Sequence, residues 1–136
     1  MSLVGGCYCG AMRYDCEGDP VMKAQCHCRE CQYMSGGGPN YFMTLPADGF
    51  RWTKGSPVQF TRSDLERAVT REFCGTCGTH MVTRLPGLPL VVLKVGSLDD
   101  PAQFTPKLAI YAVDKQPFHQ IPEGMPCFER MPPRKG

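Results

Sequence analysis

Short runs of β-branched, aromatic and aliphatic residues, each bounded by turn signals, recur from one end of the chain to the other: residues 11–14, 41–45, 50–53, 58–61, 69–73, 81–84, 90–95 and 108–113. Each run has the length of a strand, and each predicts one. Phe50-Arg51-Trp52-Thr53, the polar stretch Lys54-Gly55-Ser56-Pro57 and Val58-Gln59-Phe60-Thr61 together predict a hairpin. Helical spacing is confined to residues 29–33, 63–67 and 99–103, a turn or two apiece. The last of these opens on Asp99 as an acidic cap, with Pro101 near the first helical position. The expected fold is mainly β, a meandering and mostly antiparallel sheet folded over on itself.

Composition supports this picture and narrows the function. The 136 residues are 42% hydrophobic and 21% charged, as in globular proteins, but 15 Gly and 13 Pro weight the chain toward turns. One domain over residues 1–130 is expected, followed by a loose basic tail over 131–136. A formal charge of +2 is too mild for a nucleic-acid partner. The longest apolar run, from Leu88 to Leu93, is broken by Pro89 and too short to cross a membrane. Residues 1–14 lack the basic start and apolar stretch of a signal peptide. No nucleophile elbow, phosphate-binding loop or nucleotide fingerprint occurs.

The cysteines carry the chemistry. Nine is an odd number, no export signal accompanies them, and their spacing is tight, so reduced thiols in the cytoplasm holding metal are expected rather than disulfides. Seven fall in three clusters: Cys7-Tyr8-Cys9, Cys26-His27-Cys28-Arg29-Glu30-Cys31 and Cys74-Gly75-Thr76-Cys77. Zinc favours tetrahedral thiolate sites with Zn–S of about 2.3 Å. If each cluster stays whole, a closed four-cysteine site requires Cys7 and Cys9 to join Cys74 and Cys77. Cys26, Cys28 and Cys31 then form a second site one ligand short, and open positions are where water or substrate binds.

A bland alternative fills that position from His27, His80, Cys16, His119 or Cys127. Strand alternation points His27 away from the face shared by Cys26 and Cys28, which makes it a supporting or exposed residue rather than a ligand. His80 and His119 are expected to be isolated and hydrogen-bonded, and Cys16 and Cys127 to be apolar or free thiols. Gly36-Gly37-Gly38 reads either as an anion-binding nest or as a turn before the strand at Tyr41. Iron at the four-cysteine site is a minor alternative to zinc.

Gly5-Gly6-Cys7-Tyr8-Cys9-Gly10, Cys26-His27-Cys28-Arg29-Glu30-Cys31 and Phe73-Cys74-Gly75-Thr76-Cys77-Gly78, with Gly96-Ser97-Leu98-Asp99-Asp100-Pro101 and Gln116-Pro117-Phe118, closely resemble the glutathione-dependent formaldehyde-activating enzyme family. The resemblance implies an Mss4-like fold of folded antiparallel β-sheets with zinc knuckles and two zinc ions. It implies a structural zinc at Cys7, Cys9, Cys74 and Cys77 and a catalytic one at Cys26, Cys28 and Cys31. The implied reaction is a carbon–sulfur lyase reaction joining glutathione, or another small thiol, to formaldehyde or another small aldehyde. Leu108 and Phe118 depart from the family pattern, which commonly has histidine and tryptophan there. Because the Mss4-like fold also serves partner binding, the alternative is a zinc-stabilised binding module without activity.

Overall fold

The computed structural model describes residues 2–133, so three residues of the expected tail, 134–136, lie outside the described residues. In chain order the described elements are β1 Ser2–Gly6, β2 Arg13–Glu17, β3 Met22–Cys26, α1 Arg29–Ser35, β4 Asn40–Pro46, β5 Phe50–Lys54, β6 Val58–Thr61, β7 Thr70–Phe73, β8 His80–Arg84, β9 Leu90–Lys94 and β10 Leu108–Ile110, with four 3-10 turns. The fold is mainly β, as the pattern predicts. No helix among the described residues is long and apolar enough to cross a membrane. The chain forms two compact units: Met43–Gln103 with the chain before Lys23, and Lys23–Phe42 with the chain from Phe104 on.

In the first unit, β1 pairs antiparallel with β2, which pairs antiparallel with β5. Period-two alternation aims Tyr14 and Cys16 of β2 inward, to 1% and 0% exposure. Tyr14 then meets Phe50 and Trp52 of β5 at ring separations of 5.3 and 5.9 Å. A second sheet runs β9-β8-β7-β6 with antiparallel pairs. Met43, Leu45, Met81, Val82, Val91 and Leu93 of this unit are fully buried, and each such side chain contributes about 1.5–3 kcal/mol. Glu72 of β7 is buried too; it accepts from Trp52 Nε1 of β5 at 3.0 Å, Gln59 of β6 at 2.7 Å and Arg84 of β8 at 3.2 and 3.3 Å. The carboxylate thereby ties the two sheets of this unit together.

Several local expectations are corrected. β5 and β6 do not form a hairpin: β5 pairs with β2, and β6 pairs with β7 as the edge strand, exposed at all four positions. Burial of Phe50 and Trp52 against Tyr14 fixes the partner of β5, and Gly55 at φ 75° redirects the chain before Pro57. Residues 63–67 are bends and turns rather than helix. Arg62 clamps Asp64 there through two bonds of 2.9 and 2.6 Å, and Arg67 takes a left-handed φ of 56°. Within 99–103 only Pro101–Gln103 winds, as a 3-10 turn, and Asp100 caps the Ala102 N–H at 3.1 Å. The pattern also misses β1 and β3, whose Gly and polar residues mask their alternation. The run 108–113 ends as a strand at Ile110, where the backbone of Tyr111 turns left-handed.

In the second unit, β10 pairs parallel with β3, placing Ile110 beside Cys26. Helix α1 begins at Cys28, whose extended backbone and side chain cap it, and ends at left-handed Gly36.

Candidate metal centre

All nine cysteines are free thiols. Seven of them gather into two groups, each with its sulfurs within 4.8 Å of one another: Cys7, Cys9, Cys74 and Cys77 in the first unit, and Cys26, Cys28 and Cys31 in the second. Cys16 is buried in the core and Cys127 is exposed; neither joins a group.

The four-thiol group is built by two similar turns. After β1, the Gly10 N–H bonds the Cys7 carbonyl at 3.2 Å, and after β7 the Gly78 N–H bonds the Cys74 carbonyl at 2.8 Å. Both glycines sit at left-handed φ, 81° and 79°, which lets each turn close tightly behind its cysteines. Backbone N–H groups of Met12, Thr76 and Cys77 point at the Cys7 and Cys74 sulfurs at 3.2–3.5 Å. At Cys7 burial opposes ionisation, but the Met12 N–H and the neighbouring thiols of Cys9 and Cys74 outweigh it and lower the pKa. Thr79 joins the turns: its hydroxyl accepts from the Tyr8 N–H at 3.1 Å and lies 3.2 Å from the Cys77 sulfur. The Thr79 hydroxyl and backbone draw the Cys77 thiol down to about 5. Cys9, in spite of the Ala11 N–H, is pushed up to about 11 by burial and its neighbours' thiols. Four sulfurs this close cannot all carry charge without a cation among them, and a compact set of soft donors suits zinc.

The three-thiol group is assembled from a strand end and a helix start. Cys26 closes β3, the His27 N–H bonds the Ile110 carbonyl of β10 at 3.0 Å, and Cys28 caps α1. The Cys31 N–H donates to the Cys28 sulfur at 3.3 Å, and the two sulfurs lie 2.9 Å apart. The Cys26 thiol is driven well above its ordinary range by Cys28 and Cys31 beside it and by burial. This donor set also fits a soft divalent ion, with three protein ligands.

Beside the cysteines lies a buried polar network that the pattern did not foretell. His27 is not exposed at all: its Nε2 lies 2.9 Å from Gln25 Nε2 and its Nδ1 lies 3.0 Å from His119 Nδ1. The Gly37 carbonyl, 2.7 Å from His119 Nε2, can only accept. His119 therefore carries its proton on Nε2, and His119 Nδ1 accepts from the Gln116 N–H at 3.2 Å and from His27 Nδ1–H. His27 Nε2 is left to accept from Gln25, so hydrogen-bond accounting assigns both tautomers. Burial, with His119 and Lys115 nearby, lowers the His27 pKa and keeps the ring neutral.

Gln32 of α1 completes the arrangement by donating to the carbonyls of His27 at 2.9 Å and Asp114 at 3.0 Å, while its oxygen accepts from Arg29 and from Gln116 at 3.2 Å. The His27 ring is engaged by Gln25 and His119 rather than by the thiols, as strand alternation anticipates, but it is buried rather than exposed. His119 is partnered with it rather than isolated. Both nitrogens of both rings are engaged, so neither completes the three-thiol group. His80 lies in the first unit, stacked on Phe73 at 5.0 Å with no partner for Nδ1 among the described residues. Gly36 and Gly37 both donate to the Gln32 carbonyl, at 3.0 and 2.7 Å. Those two N–H groups cap the helix, which settles the triglycine question in favour of a turn.

The sequence model described as "Glutathione-dependent formaldehyde-activating enzyme" matches residues 2–114. No curated protein matches the chain. Among solved structures, a Rhodobacter sphaeroides protein determined by structural genomics is similar at a TM-score of 0.60 and 20% identity, over 74% of this chain and 94% of that one. That likeness concerns the fold.

Proposed function

The chain belongs to the glutathione-dependent formaldehyde-activating enzyme family, and from that premise we propose that it joins a small thiol, glutathione or a relative, to a small aldehyde at Cys26, Cys28 and Cys31. The reading is supported by the contrast between a group of four thiols and a group of three whose neighbouring histidines are fully hydrogen-bonded elsewhere. Three protein donors to a four-coordinate ion leave one position for a ligand from solution. Cys26, Cys28 and Cys31 would hold a zinc ion that supplies positive charge for a thiolate and, more weakly given three sulfur donors, polarises a carbonyl oxygen. Cys7, Cys9, Cys74 and Cys77 would hold a second zinc with a structural role.

The chain's own residues do the positioning. Pairing of Ile110 with Cys26 fixes the first thiol, and the cap at Cys28 with the Cys31 N–H fixes the other two. Gln32 holds the His27 carbonyl, and thus the peptide between Cys26 and Cys28, from behind. The two histidine rings, hydrogen-bonded through both nitrogens, hold this segment in place. In the addition, the S–C bond forms and the C=O π bond opens. The thiol's proton is released to solvent, and a proton ends on the carbonyl oxygen, giving the S-hydroxyalkyl product.

Exposed Tyr33, Phe118 and Val113, at 73%, 68% and 49% in the same unit, favour the second reading, a zinc-stabilised module that binds a partner. Calorimetry with glutathione and an NMR exchange measurement of formaldehyde–glutathione equilibration discriminate the two. The enzymatic reading expects binding and acceleration by the zinc-loaded protein. Absence of both overturns it.

A further inference from the structure

Tyr111 stands immediately beyond the strand that positions Cys26. Ile110 pairs with Cys26 and accepts the His27 N–H, so the next residue leaves the sheet alongside the cysteine segment. There the backbone takes φ 55° and ψ 39°, a left-handed conformation that side chains with a Cβ rarely adopt. Arg67 is the other non-glycine residue with positive φ among the described residues, and it lies in an exposed turn of the first unit.

The surroundings hold this conformation in place. The Tyr111 N–H donates to the Arg130 carbonyl at 3.2 Å, its carbonyl accepts from the Asp114 N–H at 3.1 Å, and the Asp114 carbonyl is gripped by Gln32. A disfavoured backbone retained by this many bonds is a feature of sites where a side chain must be aimed.

The side chain so aimed is a half-buried phenol. Among the described residues its hydroxyl has no hydrogen-bond partner, whereas the phenol of Tyr14 is satisfied by Ser97 at 2.7 Å. The Tyr111 hydroxyl is not among the buried unpartnered groups, so it is open to solvent and free to donate to a ligand. The residue lies in the same compact unit as Cys26, Cys28 and Cys31, one position past the strand residue paired with Cys26.

We infer that Tyr111 is a catalytic residue whose phenol donates a hydrogen bond to the aldehyde oxygen during thiol addition at Cys26, Cys28 and Cys31. This rests on the thiol–aldehyde reading above and assigns a new role within it. As sulfur bonds to carbon, the π electron pair moves to oxygen, and a donor already aimed at that oxygen stabilises the transition state more than the carbonyl ground state. Tyr111 keeps its own proton throughout; the proton that neutralises the oxygen comes through solvent from the thiol.

The test uses the zinc-loaded full chain and the variant Tyr111→Phe, which removes a hydroxyl that has no hydrogen-bond partner among the described residues. Exchange NMR measures the rate of formaldehyde–glutathione equilibration, calorimetry measures glutathione affinity, and metal analysis measures zinc content. The expected result is a rate reduced by roughly a hundredfold, the lower range for losing one oxyanion donor, with glutathione affinity and zinc content within twofold of wild type. Tyr33→Phe, at an exposed position on α1, is expected to keep the wild-type rate. An active wild type matched by Tyr111→Phe overturns this assignment and leaves the thiol–aldehyde reading standing. A wild type that neither binds glutathione nor accelerates equilibration overturns both.

Discussion

Gln32→Leu tests whether the buried network holds the three-cysteine segment. The substitution keeps approximate side-chain volume but removes both amide donors and the oxygen acceptor. The His27 carbonyl, in a residue with no exposure, loses its donor at 2.9 Å, and a buried group left unsatisfied costs about 1–3 kcal/mol. The Asp114 carbonyl, bonded at 3.0 Å in a half-buried residue, can recover water, so its loss adds about 0.5–1 kcal/mol. Arg29 and Gln116 also lose a shared acceptor, but their polar groups can turn to solvent. The expected destabilisation is about 1.5–4 kcal/mol, read by urea denaturation at fixed free zinc. Since the same amide orients the peptide between Cys26 and Cys28, zinc affinity at this group is expected to fall by about ten- to a hundredfold, the range for supporting groups around metal ligands. Competitive chelator titration resolves this from the four-cysteine group, whose affinity is expected to stay unchanged. A variant within about 0.5 kcal/mol of wild type and unaltered in both zinc affinities would refute the reasoning.

Metal analysis is expected to give two zinc ions per chain, falling to one in Cys28→Ser with circular dichroism unchanged; collapse of that variant would make the second site structural. Cys74→Ser is expected to unfold the chain, because a structural zinc supplies folding free energy of about 10 kcal/mol or more, and a native spectrum would contradict it. Burial pushes the Glu72 carboxyl up, but the hydrogen bonds from Arg84, Gln59 and Trp52 outweigh it and hold the pKa below the ordinary carboxylate value. A depressed carboxyl stabilises the fold above its unfolded pKa, and that contribution is lost as pH falls through the folded one. Glu72→Gln is therefore expected to be less stable than wild type at pH 7 by about 1–3 kcal/mol, with the gap narrowing on acidification below about pH 4. A gap independent of pH in paired urea titrations would contradict this account.

Much of the thiol grouping was legible because local spacing is itself a geometric constraint. Cys74 and Cys77 share a turn whatever the rest of the chain does, and Cys26, Cys28 and Cys31 occupy a strand end and the first helical turn. Grouping the clusters by counting thiols needed no knowledge of the fold, and the two sets of adjacent sulfurs agree with it. Strands such as β6 and β8 were legible from β-branched and aromatic content. The pairing of β5 was not, since a turn-like stretch between two strands says nothing about which surface Phe50 and Trp52 find to bury themselves against.

The sequence by itself determined the strand-rich character, the family and the membership of each cysteine cluster, all of which follow from residue type and short-range spacing. Only the tertiary structure decided that His27 and His119 face one another across 92 positions of sequence, that Gln32 reaches both His27 and Asp114, and that Tyr111 turns left-handed beside Cys26. Those are contacts between distant segments, set by the pairing of β3 with β10 and by the need to satisfy every polar group buried with them. A lone histidine, a glutamine and a tyrosine carry no spacing signal, so their roles emerge only when folding brings their partners within hydrogen-bond distance.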